Sequence, residues 1–425
     1  MKHTTIRHLC LAGVMLLCST LQSRAQDTLR ITLPEAEKQF TEKNLQLLAE
    51  HYNIHIAKAA EMQAKLYDNP TLSIIANAYD PQRNKIFNVS NKNGQYDIAL
   101  QQIIRLAGKR NKEIKLAQIN TSISERNFFD LLRTLRYELR SNFYESYYLQ
   151  RSVTAYSVQI LSVEKLNAAY EQLQSKGTVT MKDAMRIRSL LYSLKAEQIS
   201  LLNKLNEVQA SLRLLLQDNK TWFTPMVSER ITSEMITAVD VQSLIDTAYK
   251  NRSDLQIAQR SVLYHQQNLN LQKALAKPDL TLGAEFDKRG SFVDNASFLT
   301  IAMDLPFFKR NQGNIRAAKF GIEQSKILVQ QQQQTVESEV QLAYSKLLNT
   351  DKMLSSIDTS FENTFEKLLA GVTENFQKKN ISLIEFTDFY ESYKENVLQL
   401  NQLRDDKMQA IEALHFAVGK TIFTN

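Results

Sequence analysis

The chain has 425 residues, 43% of them hydrophobic, with a formal net charge of +7 and two cysteines. Setting aside Lys2, Arg7 and Arg24 with an N-terminal leader takes the charge from +7 to +4, a mild surplus that excludes a nucleic-acid footprint. Cys10 and Cys18 fall in the same leader, which excludes disulfide and thiolate chemistry from the mature chain, and no later apolar run is long enough to span a bilayer as a helix.

The leader itself occupies residues 1–25. Lys2 and Arg7 precede an apolar run from Leu9 to Cys18, and Ser23-Arg24-Ala25 supplies a small-residue cleavage site. This is the pattern of a secretory signal peptide, because about ten apolar residues are too few for a membrane anchor. Lipidation at Cys18 is disfavoured by the bulky Leu17. Export without a membrane helix leaves the periplasm, the medium, or an outer membrane entered as a β-barrel.

Residues 26–220 read as a first repeat: a helix, a strand pair within 71–104, then two very long helices. Leu72, Ile74, Ala76 and Ala78 alternate with Ser73, Ile75, Asn77 and Tyr79, and a returning segment starts at Tyr96. Alternation with a period of two predicts half-buried strands. From Lys109 to Lys176 there is neither glycine nor proline. A helix over that run extends roughly 100 Å at about 1.5 Å per residue, too long for a globular core. Leu131, Leu135, Leu139 and Phe143 form its apolar stripe, and Leu201, Leu205, Val208, Leu212 and Leu215 form that of the following helix.

Residues 221–425 repeat the order about 200 residues later. Asp279–Phe286 resembles Thr71–Tyr79, each after a proline (Pro278, Pro70), and the strand pair falls within 279–305. Lys309–Ala317 resembles Gly108–Ala117. The break at Lys176-Gly177-Thr178-Val179 returns at Lys378-Lys379-Asn380-Ile381. Such a period is far longer than the roughly 20–50 residues of solenoid units, so this is a duplicated half-protein. The glutamine run Gln330–Gln334 lies within a helical apolar pattern and is expected to face water.

Four strands of about 9–11 residues cannot close a barrel, although that is the length of a tilted membrane-spanning strand. Several chains contributing to one shared barrel, or a small soluble sheet capped by the first helix of each half, both satisfy the pattern.

The signal, the two halves of helix, hairpin and long helices, the prolines at strand entry and the paired breaks together resemble the TolC-like outer-membrane efflux proteins, over residues 30–420. The segments that carry the resemblance best are Tyr170–Asp183 and Phe376–Asp388, an aromatic followed by a turn, an apolar pair and an acid. It implies a mainly α fold with a small β part: a homotrimer whose chains share a 12-stranded transmembrane β-barrel, continued by a periplasmic tunnel of long antiparallel helices. It also implies an outer-membrane channel that passively conducts drugs, metal ions or other small molecules. Its partners would be a periplasmic adaptor and an inner-membrane pump of the RND or ABC type.

Such a duct needs a gate and docking tips rather than a catalytic site. Glu385 and Asp388 are spaced i, i+3, on one helix face, and the resemblance matches them to acids ringing the periplasmic entrance; the first half has Asp183 and Arg186 instead. Lys176, Gly177, Thr178 and Val179, with Lys379, Asn380 and Ile381, are the expected adaptor-docking tips. Gly177 is expected in the left-handed region. In the second tip Lys379 and Asn380 take its place, and asparagine tolerates that region. His51 and His55 have a chelating spacing but no third ligand, so no metal is expected. Tyr144, Tyr147 and Tyr148 are expected to pack between helices. No phosphate loop, HExxH, GxSxG or paired CxxC is present, so neither an enzyme nor a cofactor is expected. The alternatives are a type I protein-secretion duct of the same fold and a periplasmic coiled-coil adaptor or scaffold.

Overall fold

The structure, a computed structural model, describes residues 28–423 except 91, 229–230, 291–292 and 358–360. The expected signal peptide therefore lies outside the described residues.

The chain starts with β1 (Thr28–Thr32), α1 (Leu33–Lys43) and α2 (Leu45–Ala64). The two helices part at Asn44, whose side chain accepts the Gln46 and Leu47 N–H groups and donates to the Leu215 carbonyl at 3.1 Å. Strands β2 (Thr71–Ala76), β3 (Tyr79–Asp80), β4 (Lys85–Ile86) and β5 (Tyr96–Ile104) follow. Then come α3 (Lys109–Ser175), a single helix of 67 residues, and α4 (Met181–Leu216).

After β6 (Trp222–Met226) come α5 (Ser233–Thr237), α6 (Val241–Asn251), α7 (Ser253–Leu275), β7 (Leu280–Lys288) and β8 (Ala296–Met303). Helices α8 (Gln312–Ser355), α9 (Phe361–Gln377) and α10 (Leu383–Val418) complete the chain. The fold is thus mainly helical, with long antiparallel helices and a small sheet.

The strands depart from expectation in two ways. Strand β2 has six residues rather than nine or more, because the Asn77 side chain accepts the Tyr79 N–H and turns the chain into the β3–β4 hairpin. A parallel pair, β1 with β6, was also not foreseen. Gln209 clamps β6 to α4 by bonding both the Phe223 N–H and its carbonyl.

The main core forms where α1, α6, β1 and β6 pack on the middle of the long helices. Leu135, Leu139, Phe143, Leu212 and Leu215 from the first half meet Val336, Val340, Leu347, Ile411 and Leu414 from the second. The expected stripes on α3 and α4 are therefore buried, except that Leu131 and Leu201 lie at the margin. Gln330, Gln331 and Gln334 are exposed as expected, whereas Gln332 turns inward to bond Asp254 at 2.9 Å.

Candidate functional site

Two places combine unusual exposure with ordered geometry: the four-stranded sheet and the far helix turns. The sheet runs β2–β5–β7–β8, antiparallel throughout, so β2 and β8 are its edges. The register aligns Leu72, Leu100, Ala284 and Leu299 in one row and Ile74, Ile98 and Phe286 in another. Opposite residues in an antiparallel ladder share a face. One face thus carries Leu72, Ile74, Ile98, Leu100, Leu282, Leu299 and Ile301. The other is mixed: it carries Ser73, Asp97, Gln101, Thr281, Glu285 and Thr300, and with them Ile75, Ile103 and Phe298.

Both faces are open, the apolar one in a way no soluble core tolerates: Leu299 is 88% and Ile301 74% exposed. An uncovered apolar face of this extent marks a membrane or protein contact. The polar residues opposite suit the lumen of a transmembrane barrel, whose strands alternate apolar-out and polar-in. Below the strands the chain carries Leu305, Phe307 and Phe308, all exposed.

At the far end, α3 and α9 close with the same hydrogen-bonded turn. The Gly177 N–H bonds the Gln174 carbonyl and the Thr178 N–H reaches back to Leu173; Lys379 and Asn380 do the same to Phe376 and Asn375. This is the Schellman arrangement, whose residue after the helix takes the left-handed region. Gly177 has φ +72°, as expected. In the second turn Lys379 has φ +62°, not Asn380, whose amide instead donates to the Asn375 side chain at 3.1 Å. Lys176, Gly177 and Thr178 are exposed at one tip and Lys379 and Asn380 at the other, while Val179 and Ile381 are half-buried.

Each following helix opens with a polar cap. Thr180 accepts the Asp183 N–H, and its hydroxyl donates to the Asp183 carboxylate at 2.7 Å. Ser382 and Glu385 form a reciprocal capping box, with the Ser382 N–H on the Glu385 carboxylate at 2.7 Å. The Ser382 backbone and hydroxyl hold the Glu385 carboxyl below its ordinary value. Glu385 and Asp388 are both exposed. Asp183 and Glu385 thus share a local structural role, which leaves Asp388, opposite Arg186 of the first half, as the residue that distinguishes the two tips.

The two tips are joined by aromatic residues. Tyr170 stacks on Phe376, Phe376 stacks on Phe386 at 4.4 Å, and Phe386 contacts Tyr390 at 5.5 Å. The sequence reading missed this stack, although Phe386, Tyr390 and Tyr393 recur at i, i+4 and i+7. Tyr144 and Tyr148 are buried between helices, as expected. Tyr147 is half-buried and lines a groove of about 940 Å³ between α3 and α9–α10, with Tyr390 and Tyr393 on the opposite wall.

A second feature the sequence did not reveal is a polar seam buried between α3 and α10. Asn401 donates to the Ser152 hydroxyl at 3.2 Å, Gln409 donates to Asp405 at 3.1 Å, and Arg140 pairs with Glu412 at 3.1 Å. Burial, reinforced by Glu145 and Asp406, pushes the Asp405 carboxyl up to about 6. His51 and His55 contact edge to face, with ring centroids 4.9 Å apart. Among the described residues no cluster of three or more His, Cys, Asp or Glu is placed to hold a metal.

Residues 244–420 match the family described as outer membrane efflux protein. No curated protein matches the chain. Among solved structures, the outer-membrane channel OprN is 14% identical, with 92% of this chain and 90% of that one covered at a TM-score of 0.73. The CmeC outer membrane channel of Campylobacter jejuni is 13% identical, covering 91% of this chain and 85% of its own at a TM-score of 0.73. The MtrE outer membrane channel of Neisseria gonorrhoeae, solved in an open state, is 14% identical, covering 92% and 89% at a TM-score of 0.68.

Proposed function

We propose that the chain is a TolC-like outer-membrane efflux protein, a reading supported by the family match over residues 244–420 and by its fold, and that it is the exit duct of a tripartite pump. Three copies close their four strands each into one 12-stranded barrel, and the long helices continue it as a periplasmic tunnel. Small molecules pass through it passively, delivered by an inner-membrane pump through a periplasmic adaptor that docks on the helix tips.

One observation carries the reading. The four-stranded sheet has one apolar, exposed face, one more polar, mixed face and two edges, β2 and β8, that no other strand among the described residues covers. A soluble protein would shield both the face and the edges. Closing the sheet with neighbouring copies satisfies the edges, and lipid satisfies the face.

At the tips the proposed roles fall on Lys176, Gly177, Thr178, Val179, Lys379, Asn380 and Ile381 for docking. Glu385 and Asp388 are assigned to the periplasmic entrance. Six carboxylates near a narrow axis repel one another and favour cations. Since Glu385 is engaged in its cap, Asp388 is the freer of the two to face the pore.

Fractionation of the cell envelope tests the duct. The protein should enter the outer-membrane fraction and run at trimer size in unboiled detergent extracts; a soluble periplasmic monomer would refute it. For the entrance, single-channel recording of Asp388→Ala with Glu385→Ala should show weaker cation preference or a larger conductance. Unchanged selectivity and conductance would remove these acids from the pore.

A further inference from the structure

The apolar face of the sheet ends in one row, Ile104, Leu280 and Met303, and directly below it the chain turns basic. Arg105, Lys109, Arg110 and Lys112 fall within eight residues that contain no acid. Their partners differ. Arg105 is held by Asp68 at 2.8 Å and Glu113 at 2.6 Å, and Lys109 by Asp279 at 2.7 Å. Arg110 instead lies 3.9 Å from the centre of the Tyr67 ring and donates to the Lys65 carbonyl. Lys112 donates to the Ala107 carbonyl at 2.6 Å.

A ring face and carbonyl oxygens orient a cation without cancelling its charge. Arg110 is thus fixed in place while still carrying most of its field. Beside it opens a cleft of about 470 Å³ whose lining includes Tyr67, Asp68, Ile103, Ile104, Arg105 and Arg110. Ile104 belongs to the apolar face and Ile103 to the opposite one, so the cleft meets the foot of β5 beside the oriented cation, and its acid, Asp68, is taken up by Arg105. In the segment after β8, Phe308, 93% exposed, is followed by Lys309 and Arg310, which repeats the order of apolar then basic.

We propose that this cleft seats the phosphate of an anionic phospholipid from the leaflet at the strand roots. Arg110 is its charge partner, and the acyl chains run along Ile104 and the apolar face. The inference rests on the outer-membrane reading above. Continuity between the apolar face and the cleft selects a lipid over a soluble phosphate, since only a lipid supplies both an anion and chains.

The test uses the full-length protein reconstituted into phosphatidylcholine vesicles containing a minor fraction of phosphatidylglycerol. Flotation reports insertion, and native mass spectrometry reports the lipids that remain bound after extraction. Wild type should retain phosphatidylglycerol in preference to phosphatidylcholine. Arg110→Gln should lower that preference roughly fivefold, the usual contribution of one cation near an anionic leaflet, and Arg110→Lys should restore most of it. Glycerol 1-phosphate, an anion without chains, should not displace the bound lipid; displacement would mean a soluble-phosphate site and overturn the lipid assignment. Wild type that floats but retains both lipids equally, or Arg110→Gln that behaves as wild type, overturns this inference alone. Failure to float with any vesicle overturns the outer-membrane reading and this inference with it.

Discussion

The rings of Tyr170 and Phe376 lie face to face across the two helix turns, with centroids 5.9 Å apart and planes 9° from parallel. Tyr170 comes from the end of α3 and Phe376 from the end of α9, so this contact ties the first-half tip to the second. Phe376→Ala removes the buried centre of the stack. It should cost about 3–5 kcal/mol, as expected for deletion of a buried aromatic ring, measured by denaturant unfolding. A loss under about 1 kcal/mol would mean that the tips hold together without it.

The two turns offer a reciprocal experiment. Both Gly177 and Lys379 occupy the left-handed region, and space around Gly177 is open, so only backbone strain separates the two residue types there. Lys379→Gly should raise stability by about 0.5–1 kcal/mol and Gly177→Ala should lower it by a similar amount. Opposite shifts in the thermal midpoints of the two variants are the expected result, and shifts of the same sign would contradict it.

Asp405 makes stability depend on pH. Its folded value, about 6, lies above the ordinary 3.8 because burial disfavours the charged form and Glu145 and Asp406 add repulsion, with Lys204 and the Gln409 amide opposing. The native chain therefore binds more protons between those values than the unfolded one. Its contribution is complete below about pH 4 and is lost as pH rises through about 6. At about 1.4 kcal/mol per pH unit the whole effect is about 3 kcal/mol. Asp405→Asn should remove this slope and be the more stable protein at pH 7. An unchanged profile from pH 4 to 7 would refute the assignment.

Arg252 is 2% exposed and fastens three elements. Its guanidinium pairs with Asp254 and Glu339 and donates to the Ala417 carbonyl at 3.1 Å, closing the end of α10 against α7 and α8. Arg252→Ala leaves Asp254, itself half-buried, without this partner and should cost about 3–5 kcal/mol. Urea unfolding of this variant beside Arg289→Ala, whose ion pair is exposed, should show a large loss for the first and little for the second.

The order of elements was legible in the sequence because its signals are local. A period of two marked the strands, the absence of glycine and proline from Lys109 to Lys176 marked a helix that does run from Lys109 to Ser175, and alternation alone sorted Leu72 and Ile74 onto one face and Ser73 onto the other. The length of β2 was overestimated because the side-chain bond of Asn77 that ends it competes with pairing and leaves no periodic trace.

Tertiary structure alone decided what depends on partners distant in the chain. The left-handed position of Lys379 rather than Asn380 is not among these, since it is set locally by hydrogen bonds back to Phe376 and Asn375. The burial of Asp405 and Arg252, the aromatic stack between the tips and the un-neutralised charge of Arg110 each require a neighbour from another helix or strand. A sequence pattern reports the preference of a segment for a conformation and a face. Which polar group is left to another segment's desolvation or charge is fixed only when the segments meet.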